Sequence, residues 1–125
     1  MNPVFAILTV LLAALLATPA SAKAPKWVCT YPITANPGGA FKGQDLALTF
    51  TVDETAKHAQ VTNNERTHEV EVFAGTDGLT FVDRQKSGAI QVTTIGSTGK
   101  SVHSRHAILK GALIPSQSYG TCVAE

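Results

Sequence analysis

Several absences narrow what this 125-residue chain can do before any motif is considered. No Asp or Glu stands between Arg84 and Ala124, so that stretch cannot supply the acid that orients a catalytic His beside a Ser. Only a carboxylate from elsewhere, such as Asp45 or Asp53, could complete such a group. There is no CxxC pair and no spacing of His that converges three or four ligands, which argues against a zinc site or other metal cofactor. No glycine-rich phosphate loop precedes a helix, because almost nothing reads as helix. Asn36, Asn63 and Asn64 all lack the hydroxyl residue of a glycosylation sequon two positions on. Ten Lys and Arg stand against nine Asp and Glu, a net charge of +1. They are mixed along the chain, so there is no basic face with which to displace counterions from nucleic acid. These absences point away from an enzyme, and from any nucleic-acid partner.

Long apolar runs are also scarce, with one exception. Val4 to Ala17 is apolar apart from Thr9. As a helix it would reach roughly 21 Å, short of a hydrocarbon core of ~30 Å. Pro19 breaks the run, and Ala20-Ser21-Ala22 offers the small residues of a signal-peptidase site. The expectation is a cleavable leader over residues 1–22 and a single mature domain over 23–125, periplasmic or secreted, with no membrane span after cleavage. The two cysteines, Cys29 and Cys122, fit that compartment and are expected to bridge the two ends of the domain.

What is present is period-two alternation. In Asp45 to Val52 every even position is a large or medium hydrophobe, the mark of a strand with one buried face. Trp27, Cys29 and Tyr31 alternate in the same way, as do Ala59 with Val61, Val70 with Val72, and Leu79 with Phe81. Ile90 with Val92 follows, then Val102 and Ile108, and a last strand from about Gln117 to Val123. Turn residues separate these runs at Asn63-Asn64, Gly75 to Gly78, Lys86-Ser87-Gly88, Gly96 to Gly99 and Lys110-Gly111. The fold class is therefore all-β, an antiparallel meander of about 7–8 strands closed as a barrel or folded as a sandwich.

Register assigns the faces. Pairing Val61 with Val70, Val72 with Phe81, Phe81 with Ile90 and Thr94 with Val102 leaves hairpin loops of ordinary length. On that register Ser104 and His106 face inward with Ile90 and Val92, and form a candidate pocket. Ser101, His103 and Arg105 face solvent, and His106 is expected to be the titration-sensitive histidine. Residues 32–44 read as one long connection around Asn36-Pro37-Gly38-Gly39. Asn36, Phe41 and Lys42 are its candidate contacts.

The closing stretch Val102-His103-Ser104-Arg105-His106, with Pro115-Ser116-Gln117 and Tyr119-Gly120-Thr121-Cys122, resembles small exported bacterial proteins of unassigned function. Trp27-Val28-Cys29 with a late Cys is also similar, more loosely, to periplasmic inhibitors of C-type lysozyme. Those are eight-stranded barrels with an inhibitory Ser-Gly loop followed by an aromatic. Here Ser87-Gly88 is present and Ala89-Ile90-Gln91 brings no aromatic. The combined expectation is a non-enzymatic exported binding or interaction module. Its partner is another protein, or a small apolar or amphipathic ligand carried inside the barrel.

Overall fold

A computed structural model describes residues 24–64 and 66–125, leaving aside the side chain of Gln44. The expected leader over residues 1–22 lies outside the described residues. Eight strands run in chain order: β1 (Lys26–Asn36), β2 (Gly39–Val52), β3 (His58–Thr62), β4 (Thr67–Ala74), β5 (Gly78–Arg84), β6 (Ile90–Gly96), β7 (Lys100–Leu109) and β8 (Ala112–Ala124). Each pairs antiparallel with the next and β8 returns to β1, so the sheet closes as a barrel. Cys29 and Cys122 face each other across the closing pair and form the disulfide.

The alternating faces of β1 to β5 enter the interior as their pattern requires. Cys29, Tyr31, Leu48, Phe50, Val52, Ala59, Val61, Val70 and Phe81 are all buried. The rings of Phe50 and Phe81 stack with centroids 4.0 Å apart, burial that serves as the main favourable term in a domain this size.

Three expectations about register change. Val70 pairs with Ala59, and Val61 with His68, a slip of two residues that leaves the faces intact because the side-chain period is two. Phe81 pairs with Thr93, while Ile90 lies opposite Arg84. That slip is three residues, so it inverts every side chain of β6. Its cause is the β5–β6 connection, a five-residue loop over 85–89 closed by Gln85 N–H donating to the Ala89 carbonyl at 3.0 Å. The third change is the connection over 32–44, which is a long hairpin. β1 and β2 pair out to Asn36 and Gly39. The Asn36 side chain accepts from the Gly38 N–H at 2.8 Å, and Gly39 turns the chain at φ 126°. The last strand also starts earlier than expected, at Ala112.

One irregularity shapes the barrel. Between Thr30 and Ile33 the β1–β8 register shifts, so that Tyr31 and Pro32 together oppose Gly120. Pro32 has no N–H to offer a ladder and sits where the ladder is interrupted. Tyr31 points in before the shift, and Thr34 after it shares a face with Ser118, hydroxyl to hydroxyl at 3.0 Å.

Candidate functional site

The interior has two unlike halves. Towards the rim that carries loops 53–57, 75–77 and 97–99, Cys29, Tyr31, Val52, Ala59, Ile95 and Cys122 fill it with apolar side chains and the disulfide. Towards the other rim, formed by the turns at 37–38, 63–66, 85–89 and 110–111, the interior opens into a cavity of about 820 Å³. Leu48, Phe50, Val61, Val70 and Phe81 form its apolar wall. Thr93, His103 and Gln91 form a polar strip, and Arg66 and Lys86 stand at the mouth.

The polar strip follows from the inverted face of β6. Thr93 and His103 are paired across β6 and β7, and both are buried. Thr93 Oγ1 lies 2.7 Å from His103 Nδ1, and the Tyr31 ring is 5.8 Å from the imidazole, tilted by 42°. Burial, reinforced by the neighbouring Arg105 charge and opposed by Asp83, pushes the His103 pKa down to about 4. The ring is therefore neutral at physiological pH. No hydrogen bond engages Nε2 among the described residues, and none of their fully buried side-chain polar atoms lacks a partner. His103 is among the residues that line the cavity.

Deeper in, Ser101 donates its hydroxyl hydrogen to the Thr94 carbonyl at 2.8 Å. Tyr31, 2.8 Å from the same oxygen, must therefore donate to it. Burial raises the Tyr31 pKa, and the Ser101 contact partly offsets this. The relay closes the lower end of the strip with every hydroxyl in use. Nearer the mouth His68 Nε2 and an Asp83 carboxylate oxygen meet at 2.7 Å, so the one acid among the described residues of this wall is taken by His68, not by His103.

The expected pocket of Ser104, His106, Ile90 and Val92 is corrected accordingly. His106 does pair with Ile90 and Ser104 with Val92, but on the outer face. His106 is exposed, and the other three are half-buried against their cross-strand neighbours. His103, expected in solvent, is the buried histidine. Of the expected contact residues, Asn36 ends β1, while Phe41 and Lys42 lie within β2; all three are exposed. His106 and Asn36, far apart in sequence, line a second cleft of about 320 Å³ between the β1–β2 and β7–β8 hairpins, together with Pro37 and Pro115. Ser87 and Gly88 form the turn before Ala89. There the Ser87 hydroxyl accepts from the Ala89 N–H at 3.3 Å.

Among the described residues no three His, Cys, Asp or Glu side chains gather as a metal site, and no helix is long and apolar enough to cross a membrane. Fold and site together define a small disulfide-closed barrel with one filled and one hollow end. Comparison with protein-family models, curated proteins and solved structures finds no match to this chain.

Proposed function

We propose that this chain is an exported, non-enzymatic binding protein that holds a small amphipathic molecule in the hollow end of its barrel. The cavity carries the reading. Eight strands enclose room for a single small ligand, and about 820 Å³ falls in the size range of small-molecule sites. Its apolar wall suits a hydrocarbon or ring system. His103, Gln91 and the cations at the mouth suit a polar or anionic end. The disulfide fits an oxidising compartment, as the leader-like start of the sequence does. A hydrolytic role lacks support because the acid nearest His103 is engaged by His68.

The test has two arms. Native mass spectrometry of protein taken from the exported fraction of producing cells should show a retained small mass. Titration with a fluorescent fatty-acid analogue should show saturable one-to-one binding. Gln91→Trp, which places an indole in the cavity, should weaken that binding by about tenfold or more, the size of a lost favourable contact surface. No retained mass and no saturable binding would overturn the proposal.

A further inference from the structure

The β7–β8 hairpin continues beyond the barrel. β6 supports β7 only as far as His106, and β1 supports β8 only as far as Gln117. Residues 107–115 therefore stand out as a two-stranded finger with no further strand paired on either edge. The finger reads Ala107-Ile108-Leu109-Lys110-Gly111-Ala112-Leu113-Ile114, with Lys110 its one charge. Lys110 and Gly111 both have positive φ, 50° and 79°, the tight two-residue turn that matches strand twist.

Ile108 pairs with Leu113 and Ala107 with Ile114, so successive apolar pairs face opposite sides and both faces are apolar. A solvated hairpin alternates apolar with polar. Leu109 is 60% exposed, Leu113 65% and Ile114 46%. At the finger's root Ile108 lies beside Gly88, where an added Cβ would come within 3.7 Å of its Cδ1. The finger thus stands next to the loop that borders the cavity mouth.

Charge among the described residues at this rim has one sign in excess. Among the described residues Lys42, Arg66, Lys86 and Lys110 take part in no ion pair, whereas the opposite rim mixes Asp53, Glu54 and Asp77 with Lys57 and Lys100. A second copy docking rim to rim would set these cations against one another. A protein groove would cover one face of the finger and leave the other in water. A lipid interface surrounds an inserted segment on all sides, and anionic headgroups answer the cations.

We propose that the open rim docks on an anionic lipid surface, with Leu109, Leu113 and Ile114 entering the headgroup boundary and Lys110 snorkelling to the phosphates. This deepens the carrier reading, since it brings the cavity mouth to a surface that supplies or receives amphipathic molecules.

Vesicle co-sedimentation tests it, with phosphatidylcholine vesicles compared with vesicles that also contain phosphatidylglycerol. Binding should favour the anionic vesicles by about tenfold or more and weaken as salt screens the cations. Leu109→Ser with Leu113→Ser, both at exposed sites, should keep the circular dichroism spectrum and melting temperature yet weaken vesicle binding about tenfold or more. Equal binding by this variant, no preference for anionic vesicles, or no binding at all would overturn the proposal. So would an effect of the variant seen only as dissociation of a dimer in sedimentation velocity. Gln91→Trp should leave vesicle binding unchanged, so failure of docking and failure of the carrier reading are told apart.

Discussion

Bringing His103 into the barrel costs it most of its water and leaves it one protein partner, the Thr93 hydroxyl. Burial therefore favours the neutral ring, and stability becomes pH-dependent in a defined direction. Above about pH 6.5 the ring is neutral in folded and unfolded chains alike and contributes no slope. As pH falls below that value the unfolded chain takes up a proton that the folded one refuses until its pKa of about 4. Between those limits stability declines, by on the order of 3 kcal/mol for this group. Urea midpoints measured at about pH 7 and at about pH 4.5 should converge in His103→Ala relative to the parent protein. At neutral pH the same substitution should cost about 1–3 kcal/mol, from the lost hydrogen bond and enlarged void. His106→Ala, on the outer face, should stay within about 0.5 kcal/mol. The reversed order in the melts would contradict the placement of both residues.

At the scale of the strands, the Tyr31-Pro32 bulge and Gly120 depend on one another. A Cβ on Gly120 would approach Tyr31 Cα at 2.8 Å and press on the Thr30 carbonyl, backbone that cannot rotate away. Gly120→Ala should therefore destabilise by about 3 kcal/mol or more. Gly111→Ala meets open space but keeps a positive φ, so about 1–2 kcal/mol is expected from backbone strain alone. Thermal melts of the two variants should rank them in that order.

The positions of the five turns after β3, the meander order and the interiors of the first five strands were legible because Asp45 to Val52 and its neighbours alternate strictly. The inner face of β6 and β7 was not, because Ile90 and Val92 are apolar yet lie outside, while Thr93 and His103 are polar and lie within. Hydrophobic pattern misleads where a cavity needs polar lining. Parity counted from the other end held the answer. Cys122 must point inward to reach Cys29, which places Ser118 inward too. A two-residue turn at Lys110-Gly111 pairs Ser118 with His103. The β5–β6 loop, with its five residues and buried Ala89, offered no such anchor.

For the molecule as a whole, the cystine couples residues 93 apart in sequence at the one seam that closes the barrel. In the chain-entropy account a loop of that length contributes about 4–5 kcal/mol, a large share of the stability of a domain this small. Cys29→Ala with Cys122→Ala should lower the free energy of unfolding by several kcal/mol, within the ~2–5 kcal/mol seen on removing native disulfides. Urea unfolding with and without reductant checks it: the parent should fall to the level of the variant when reduced. The bridge spans the filled half of the barrel, so the hollow half relies on its strand ladders and loop contacts.

Closure by the last strand also has a consequence for folding. β1 finds one neighbour, β2, within the first hairpin, but its other neighbour, β8, is the last strand of the barrel in chain order. Until β8 arrives, β1 and β7 both present bare hydrogen-bonding edges and Cys29 has no thiol to meet, the condition in which chains pair with one another. A chain truncated before residue 117 is thus an open, sticky sheet, whereas with β8 in place the barrel wall has no edge. Docking of β8, not the gradual growth of a core, is what turns this open sheet into a discrete particle.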